Sequence, residues 1–446
     1  MKIAIIGAGF GGMAAAYDLR RAGHEVTIYE AAEQAGGLAA GFKQPGWDWW
    51  VDKFYHHWFA SDRHMLGLIE ELGWSDQVLF PRPYTVMYHE GRDGEGGFYP
   101  FDSILAALLY PGLGWGLDKI RFGLVGLYLR LSSNWRPLEK TTVDAWMRKW
   151  AGERVYERMW LPLVQGKFGP YAKDVNMAWL WARLHARTTR LGTFEGGFQA
   201  FADQFAARLG EMGVHIIFNA RAERIESANG GGLTLTVNGA EQHFDQILAT
   251  TSPSLLARLA PQLPEDYLRG LLNLQSMGAV VMTLALDRQL SNEGYYWYNI
   301  PKSAGFPFLA LVEHTNFVPP EHFGGDHILY CGDYLEVGHE YFSLSDEELL
   351  ARFIPGIQRV NPDFRRDWVK GVWVHQTNYA QPVPLVNHSA NIPDIRTPLP
   401  GLYFASMSQV YPWDRGTNFA VEIGRKAAGM MCAATQRQEN LLGYTE

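Results

Sequence analysis

Blocks of hydrophobic and polar positions follow one another along this chain and predict strands and helices in alternation. Residues 3–6 form a short apolar run that predicts a buried parallel strand, and residues 13–22 predict the helix behind it. Residues 26–29 predict a second buried strand. A strand, a helix and a strand in this order predict the start of a doubly wound parallel sheet.

Later blocks predict a second, larger set of elements. Amphipathic spacing predicts several helices, one of which ends at Gly166 and another at Pro355-Gly356. The other apolar runs predict a buried strand (214–218), a small meander (221–227, 233–237 and 243–250) and a mixed sheet (279–286, 295–300, 308–312, 327–331 and 369–375). The predicted fold class is therefore α/β, with an inserted α+β part.

The composition narrows the class of protein. At 446 residues, with 47% hydrophobic and 19% charged positions, the chain is long enough for two well-packed domains. Its 39 basic and 47 acidic residues argue against a nucleic-acid partner, which needs clustered positive charge. Cys331 and Cys432 lack metal-ligand spacing and suit a reducing cytoplasm. Because the first predicted strand begins at residue 3, we expect no signal peptide.

A glycine-rich turn joins the first strand to the first helix. The glycines of residues 7–12 permit a tight bend and the close approach of a pyrophosphate to bare backbone. The helix N-terminus behind them offers unpaired N–H groups and partial positive charge to phosphates. Glu30 ends the second strand, 23 residues after Gly7, where a carboxylate accepts hydrogen bonds from ribose hydroxyls. The predicted dinucleotide site comprises Gly7, Gly9, Phe10, Gly11, Gly12 and Glu30.

A second glycine pair favours FAD over NAD as the cofactor. After Glu30 come five residues and then Gly36, Gly37 and Leu38, which offer another bare backbone edge to the far half of an extended cofactor. This Glu-x5-Gly-Gly continuation resembles the FAD-binding start of the flavin amine oxidase superfamily. That group includes protoporphyrinogen oxidases, phytoene desaturases and, more distantly, UDP-galactopyranose mutases. The resemblance implies that FAD is the cofactor and that these three residues contact it.

The C-terminal part of the chain carries a matching pattern. Residues 401–405 predict an apolar strand, a polar loop covers 411–418, and residues 419–432 predict a helix whose N-terminus is aimed at the cofactor. This resembles the closing FAD motif of the superfamily, whose Ala-x-x-x-Gly-Arg-x-Ala part is matched by Ala420, Gly424, Arg425 and Ala427. The resemblance implies further cofactor contacts at Ala222, Thr250, Ser406, Arg415, Gly416, Thr417 and Asn418.

Both ends of the chain are thus expected in one domain. Residues 1–95, 191–262 and 398–446 are predicted to form a Rossmann-type FAD-binding domain. Residues 96–190 and 263–397 are predicted to form the substrate domain, a helical cap with a mixed sheet. Residues 103–131 are the most apolar part of the chain, but their proline, glycines and charges exclude a transmembrane helix. They suit a buried cap or a membrane-facing entrance.

Two regions supply candidates for catalysis. Residues 46–62 are crowded with aromatic rings, and the resemblance places this loop beside the flavin, which makes Asp52, His56 and His57 candidates. One of these histidines is equally compatible with a hydrogen-bonded core residue. Lys167 follows the predicted helix end at Gly166. It would either bring positive charge near the substrate or belong to a solvated helix end.

The patterns and the resemblance together favour an FAD-dependent oxidoreductase that takes a hydride from a small organic molecule such as an amine, a porphyrinogen or a polyene. The alternative is a redox-neutral mutase of a nucleotide sugar, suggested by residues 55–57. It needs arginines facing a diphosphate, for which Arg183, Arg187 and Arg190 are available. A flavin-binding protein without catalysis is a third class. We expect a cytoplasmic protein, and leave open peripheral contact with the inner face of a membrane and a homodimer.

Overall fold

A computed structural model describes residues 1–91, 96–114, 116–186, 188 and 190–443. In this part of the chain the α-helices are α1 (Phe10–Arg21), α2 (Arg63–Leu72), α3 (Ile104–Leu109), α4 (Leu117–Leu131), α5 (Val143–Trp150), α6 (Glu153–Val155), α7 (Leu161–Phe168), α8 (Met177–Ala186), α9 (Phe198–Glu211), α10 (Pro253–Leu259), α11 (Glu265–Asn273), α12 (Asp346–Gln358) and α13 (Thr417–Gly443).

The strands of the described residues form five sheets. They are β1 (Lys2–Ile6), β2 (Glu25–Tyr29), β3 (Gly41–Phe42), β4 (Val51–Asp52), β5 (Trp58–Phe59), β6 (Val78–Leu79), β7 (Tyr84–Glu90), β8 (Gly96–Pro100), β9 (Leu191–Phe194), β10 (His215–Ile217), β11 (Ala222–Ser227), β12 (Leu233–Val237), β13 (Ala240–Phe244), β14 (Gln246–Ala249), β15 (Ser276–Leu286), β16 (Tyr295–Asn299), β17 (Ala310–Glu313), β18 (His327–Leu335), β19 (Val369–Pro382) and β20 (Leu402–Phe404).

A five-stranded parallel sheet, ordered β10-β2-β1-β14-β20, gathers strands from both ends of the chain. The alternation along β1 divides its two faces. Ile3 and Ile5 pack with α1, α2, α9 and α13, whereas Ala4 and Ile6 pack with the meander β11–β13 and with α10 and α11. A parallel sheet covered on both faces is the doubly wound arrangement, so the predicted α/β class is confirmed.

A seven-stranded mixed sheet, ordered β19-β15-β18-β17-β16-β7-β8, forms the second large unit. Helix α12 packs on one of its faces, and α4 to α8 form a helical layer around buried residues such as Tyr156 and Trp179. The strands β7 and β8 belong to this sheet because β7 pairs with β16. The predicted boundary at residue 95 therefore falls inside a hairpin of the larger sheet, and residues from Tyr84 onward group with that sheet. The division into two domains otherwise stays a prediction.

Two strand predictions near the nucleotide side were wrong in detail. Residues 214–218 were expected to be a buried strand, but β10 is the edge of the parallel sheet and Ile217 is exposed. Residues 243–250 were expected to be one strand, but they divide between β13, which closes the meander, and β14, which lies beside β1 in the parallel sheet. An apolar run does not reveal which sheet it joins, because that depends on pairing with distant residues.

Two predicted helix ends were also wrong. Helix α7 continues through Gly166 to Phe168, and a Cβ on Gly166 would lie 2.4 Å from Leu309 Cδ1. Helix α12 continues through Pro355 to Gln358, and a Cβ on Gly356 would lie 2.6 Å from Pro307 Cδ. These glycines therefore serve close packing against a neighbouring segment, which sequence alone does not distinguish from a helix stop.

The helices at the two ends of the chain touch backbone to backbone. A Cβ on Gly424 of α13 would lie 2.1 Å from the carbonyl oxygen of Gly11 in α1. Arg425 of α13 also binds Asp18 of α1 with two nitrogens, at 2.9 and 3.1 Å. The C-terminal helix is thereby held against the helix that follows the glycine-rich turn. Among the described residues, every helix is too short or too polar to cross a bilayer.

Candidate active site

The glycine-rich turn between β1 and α1 has three glycines with different tasks. Gly7 has φ +108°, a backbone conformation that side chains disfavour, and a Cβ on Gly12 would lie 2.1 Å from the Gly7 carbonyl oxygen. These two glycines are therefore required by the turn itself. Gly9 has φ −71° and no heavy atom within 4 Å of an added Cβ. Its open side is the surface that a pyrophosphate can approach.

The first turn of α1 supplies backbone N–H groups that can donate hydrogen bonds to a phosphate. Phe10 is buried, with its ring 5.2 Å from the ring of Phe201, so its backbone N–H and not its side chain can reach a phosphate. The N–H groups of Gly11 and Gly12 lie in the same first turn, which has no intrahelical acceptors. Unpaired N–H groups beside bare backbone fit an anionic phosphate.

Glu30 lies at the end of β2, beside this turn. Its carboxylate accepts hydrogen bonds from the backbone N–H groups of Ala8, at 2.7 Å, and Ala32, at 2.8 Å. Both contacts fix the carboxylate next to the glycine-rich turn, where its remaining lone pairs fit ribose hydroxyls. Thr250 supports the same turn, since its hydroxyl donates to the Ile6 carbonyl oxygen at 2.8 Å. Ala222 begins β11, is partly buried and packs against the core on the meander side of the parallel sheet.

The second glycine pair lies directly against the first. Gly36, at φ +115°, donates its N–H to the Ala8 carbonyl oxygen at 2.9 Å, and a Cβ on Gly37 would lie 3.3 Å from the Cα of Gly9. The next residue, Leu38, lines a cavity that also borders strands β15, β18 and β19 of the seven-stranded sheet. The chain thus runs without interruption from the phosphate-binding turn to this cavity.

The cavity collects side chains from six separate stretches of sequence. Its wall is mainly apolar and aromatic, with an acid, a tyrosine pair and one arginine among the lining residues Leu38, Phe54, Tyr55, His56, Ala279, Val281, Asp333, Tyr334, Thr377, Ala380 and Arg415. Three residues predicted from sequence, Leu38, His56 and Arg415, therefore meet in one place. A mostly apolar cavity with a few convergent polar groups is the usual form of a small-molecule site.

The two histidines of the aromatic loop are separated by the structure. His56 lines the cavity, and burial together with the nearby Arg415 lowers its pKa to about 4, so its ring is neutral at neutral pH. His57 points into a cluster with Tyr296, Trp297 and Phe317 and is hydrogen-bonded to the Tyr296 hydroxyl. Of the two histidines, only His56 lines the cavity and can contact a ligand there. His57 does not line the cavity, and its contacts are those of a core residue.

Asp52 is a third candidate from this loop, and it is buried behind the cavity wall. One of its oxygens accepts a hydrogen bond from the backbone N–H of His56 at 3.3 Å. The Tyr330 hydroxyl donates to its backbone carbonyl at 3.0 Å. Burial raises the pKa of the Asp52 carboxyl to about 8. The carboxyl therefore holds a proton at neutral pH and supports the loop that carries His56.

Asp414 is the centre of a charged cluster at one end of the cavity. It is paired with Arg183, accepts hydrogen bonds from Trp179 and Gln381 at 3.2 Å each, and lies 4.0 Å from the Lys167 ammonium nitrogen. Burial would raise the pKa of Asp414, but the three cations Lys167, Arg183 and Arg415 outweigh this and hold it well below its usual range. Asp414 is therefore ionised, and the cluster carries more positive than negative charge.

Lys167 belongs to this cluster and not to a solvated helix end. Its ammonium group donates to Gln381 Oε1 at 3.2 Å and lies 4.8 Å from the centre of the Tyr334 ring. Burial, followed by the charges of Arg183 and Arg415, lowers the pKa of Lys167 well below its usual value. The last turn of α7 thus brings a buried amine to Asp414 and Tyr334, and the expectation that it places positive charge near a substrate stays a prediction.

Arg415 carries the positive charge of this cluster into the cavity. Its guanidinium is hydrogen-bonded to the Tyr334 hydroxyl, while its buried Nε has no hydrogen-bond partner among the described residues. Asp333, the residue before Tyr334, is paired with Lys302. Burial raises the pKa of Asp333 to about 6, and Lys302 opposes that rise. Among the described residues that line the cavity, Arg415 therefore keeps a free donor, and the acid Asp333 is paired with Lys302 and not with Arg415.

The remaining predicted residues lie around the start of α13. Thr417 and Asn418 have structural partners, because Thr417 accepts from the Trp58 indole at 3.0 Å and Asn418 accepts from the His64 and Met65 N–H groups that open α2. Ser406 is buried and hydrogen-bonded to the Tyr379 hydroxyl at 2.7 Å. Contacts of Thr417 and Asn418 with a cofactor would thus come from backbone N–H groups, whereas the Ser406 N–H already donates to Gln409 Oε1 at 2.7 Å. Gly416 leaves open space around an added Cβ.

The arginines considered for a nucleotide-sugar diphosphate do not form a group. Arg183 is engaged with Asp414, and Arg190 is exposed at the start of the segment that enters β9. Arg187 lies outside the described residues. No observation on the described arginines favours the mutase alternative.

Sequence reasoning missed several residues of the cavity. Asp414 stands beside Arg415 in the C-terminal loop, so an acid–base pair next to a predicted cofactor contact was an available signal. Tyr55 also belongs to a loop that was singled out. Asp333 and Tyr334 lie at the end of β18, beyond the strand predicted over residues 327–331, and nothing in their spacing indicates a site.

The doubly wound sheet, its glycine-rich turn and the cavity fit the class of flavoprotein oxidoreductases. The family model for flavin containing amine oxidoreductases matches residues 10–432 of this chain. The chain therefore belongs to the flavin containing amine oxidoreductase family. The predicted superfamily is confirmed.

Relatives within this family differ in what they are named for. The 15-cis-phytoene desaturase of Capsicum annuum is 24% identical over 394 residues, which cover 81% of this chain and 65% of that protein. This chain therefore matches less than two thirds of that relative's length. A protein from Exiguobacterium sp. 255-15, provisionally named a protoporphyrinogen oxidase, has a structure with TM-score 0.76 at 18% identity, covering 97% of this chain and 99% of its own. The structure of the cyclohexylamine oxidase of Brevibacterium oxydans IH-35A has a TM-score of 0.71 at 16% identity, covering 98% of this chain and 99% of its own.

Proposed function

We propose that this protein is an FAD-dependent oxidoreductase that removes a hydride from a small organic molecule bound in the cavity beside Arg415 and Tyr334. The observation that carries the proposal is the continuous path from Gly9 through Gly37 to Leu38. It connects the phosphate-binding turn with the cavity, and an extended dinucleotide whose second half is a flat ring fits such a path.

The cofactor-binding residues are proposed from this path. Glu30 would hold the ribose hydroxyls, and Gly9 with the first N–H groups of α1 would hold the pyrophosphate. Gly36 and Gly37 would border the next part of the cofactor, and the N-terminus of α13 would face its ring end. A bound flavin supplies the hydride-accepting chemistry, and the protein contributes position, polarity and exclusion of water.

The cavity residues have distinct tasks in this proposal. The apolar wall of Phe54, Val281 and Ala380 keeps water away from the reacting atoms. The guanidinium of Arg415 places positive charge where negative charge develops on hydride acceptance, and Tyr334 orients it. The neutral ring of His56 offers a hydrogen bond without competing for that negative charge.

The substrate is proposed as a molecule with an oxidisable C–H or C–N bond: an amine, a porphyrinogen or a polyene. The relatives' names support this range, and the apolar cavity supports an organic substrate of low polarity. Oxygen, a quinone or another acceptor would remove the electrons afterwards.

The test begins with the spectrum of the purified protein after incubation with FAD. We expect bound, oxidised flavin, and a colourless protein that cannot take up FAD would overturn the proposal. Under exclusion of air, an alkylamine, a porphyrinogen and a linear polyene are then added in turn. Bleaching of the flavin band by one of them identifies the substrate class, and admission of air shows by the rate of recovery whether oxygen is the acceptor.

A variant links this reaction to the cavity. In Arg415→Gln we expect flavin to remain bound, but substrate-dependent bleaching to slow by about tenfold or more, because one charge that stabilises the developing negative charge is lost. The matched control is Arg288→Gln, at an exposed position outside the cavity, whose bleaching rate should be unchanged. Equal bleaching rates in both variants would remove Arg415 from the proposed role.

A further inference from the structure

The helical layer exposes an unusual amount of apolar side chain. On α4, the residues Leu117, Ile120, Leu124, Leu127 and Leu131 are each between 55% and 72% exposed, and we call this set the α4 apolar face. Single exposed leucines are ordinary, but a contiguous set is not, because large apolar patches on proteins mark interaction surfaces.

The spacing of this face shows that it is one continuous stripe. The five residues follow one another at intervals of three and four positions, so that they fall on one side of a helix with about 3.6 residues per turn. The opposite side of α4 is also apolar, and its residues Val125 and Leu129 are buried in the helical layer. The protein interior covers one apolar side of α4, and the other side requires a second apolar partner.

Other helices of the same region also expose apolar side chains. Leu105 and Leu109 lie four positions apart on α3 and are 67% and 68% exposed. Trp150, at the end of α5, is 54% exposed, with the Lys149 ammonium group 5.1 Å from its ring centre. Trp and Tyr rings with a nearby polar group are typical of residues placed at a membrane–water interface.

The charges around the face point to the kind of partner. Residues 103–150 carry seven Lys and Arg against three Asp and Glu, although the whole chain carries 39 against 47. On α4 itself, Arg121 and Arg130 lie on opposite flanks of the apolar face, since each is about a quarter turn from its centre. Arg130 also donates through Nη1 to the Leu184 and His185 carbonyl oxygens, at 3.0 and 3.1 Å, which holds its charge at that edge. Cations along the edges of an apolar stripe can bind anionic lipid headgroups while the apolar side chains enter the acyl region.

We propose that the α4 apolar face docks this protein on an anionic lipid membrane, with α4 lying in the plane of the interface. The helix has 15 residues and would be about 22 Å long, too short to span a bilayer of about 30 Å. Docking in the plane uses the whole face at once. A second copy of the chain fits this face less well, because two copies meeting here would bring the Arg121 and Arg130 flanks of each into mutual repulsion.

The proposal is tested by flotation of the FAD-loaded protein with vesicles. One set contains phosphatidylcholine alone, and the other contains phosphatidylcholine and phosphatidylglycerol in equal amounts. We expect binding to the anionic vesicles, weaker binding to the neutral ones, and loss of this difference at high salt, which screens the headgroup attraction. Equal binding to both sets would overturn the role of the flanking arginines.

Variants connect the binding to the α4 apolar face. Leu124→Glu combined with Leu127→Glu should lower the bound fraction by about tenfold or more, because two side chains would no longer enter the acyl region. The control Leu272→Glu changes a leucine on α11 that is 58% exposed, and its binding should equal that of the unchanged protein. Arg121→Gln should weaken binding to the anionic vesicles only. The far-ultraviolet circular dichroism and the flavin spectrum of each variant confirm that it is folded.

Light scattering of the protein without vesicles tests whether a second copy of the chain covers the α4 apolar face instead of a membrane. If the unchanged protein binds neither set of vesicles and forms a dimer that the Leu124→Glu, Leu127→Glu variant disrupts, a second copy covers the face and the membrane proposal is wrong. Absence of vesicle binding by a monomer would also overturn it.

Discussion

Gly9 separates cofactor binding from folding at the scale of a single residue. Its backbone conformation is open to any residue, and a Cβ there would meet no protein atom within 4 Å. In Gly9→Ala we therefore expect an unchanged unfolding temperature without FAD, but an FAD dissociation constant raised by about ten- to a hundredfold, because the methyl group occupies the side that a pyrophosphate approaches. Thermal unfolding and fluorescence titration with FAD measure the two effects.

The control for this prediction is Gly67→Ala on α2, where an added Cβ also meets open space. It should leave FAD affinity unchanged. Should Gly9→Ala bind FAD as tightly as the unchanged protein, the phosphate does not approach the turn at Gly9.

Asp52 makes stability depend on pH in a direction opposite to that of most carboxylates. Its pKa is about 8 in the folded protein because of burial, against an ordinary value of 3.8. Between these values the folded state retains a proton that the unfolded state loses, so this carboxyl favours folding at low pH and loses that contribution as pH rises through 8.

The variant Asp52→Asn removes this titration. We expect the free energy of unfolding of the variant to rise relative to that of the unchanged protein by about 2–5 kcal/mol between about pH 5 and about pH 8. Urea unfolding at several pH values measures the difference. The exposed Asp367→Asn serves as the control and should show no such trend. A constant difference between Asp52→Asn and the unchanged protein would mean that Asp52 is ionised in the folded state.

At the scale of elements, the contact between α1 and α13 joins the two ends of the chain. Gly424 permits it, because a Cβ there would overlap the Gly11 carbonyl oxygen. In Gly424→Ala we expect a loss of about 1–3 kcal/mol in the free energy of unfolding, since the two helices must move apart. Because α1 carries the phosphate-binding turn, FAD affinity should fall as well. Urea unfolding and FAD titration measure both effects.

The same helix provides a matched control. Gly429 is exposed on α13, and an added Cβ there meets no atom within 4 Å. Gly429→Ala should therefore stabilise the protein by about 0.5–1 kcal/mol through better helix propensity. If both alanine variants were equally stable, close helix contact would not be the reason for the glycine at 424.

At the scale of the whole molecule, the proposed cofactor site uses residues from both ends and from the middle of the chain. Parts as distant as Gly9, Thr250 and Arg415 border the path, so FAD would bind the folded state alone. Removal of FAD should lower the free energy of unfolding by about 4 kcal/mol relative to protein at an FAD concentration a thousandfold above its dissociation constant. Thermal unfolding at a series of FAD concentrations measures this, and an unfolding temperature independent of FAD would contradict it.

The predicted parts of the site are those with a local backbone requirement. The tight turn needs glycine at Gly7 and Gly12, an acid must end β2 at Glu30, and the pair at Gly36 and Gly37 lies only a few residues further. Such requirements leave a pattern in the sequence, because the residue type follows from the conformation of its own segment. The parallel sheet and the α/β class could be predicted for the same reason.

Only the tertiary structure could decide the cavity. It separated His56 from His57 and placed Lys167, in the last turn of α7, beside Asp414. It also added Asp333 and Tyr334, which follow the predicted strand 327–331 and show no pattern of a site. Burial, charge and pKa at these positions depend on segments that are hundreds of residues apart in the chain.

The sequence by itself thus determined the dinucleotide-binding turn, the fold class and the family, since each rests on short stretches whose residue types are dictated locally. Which charges meet in the cavity, which glycines permit helices to touch and which leucines of the apolar stretch remain exposed were decided by packing. Hydrophobic patterning indicates which side chains avoid water. Which apolar face of a helix or strand is buried depends on the segments, distant in sequence, that pack against it.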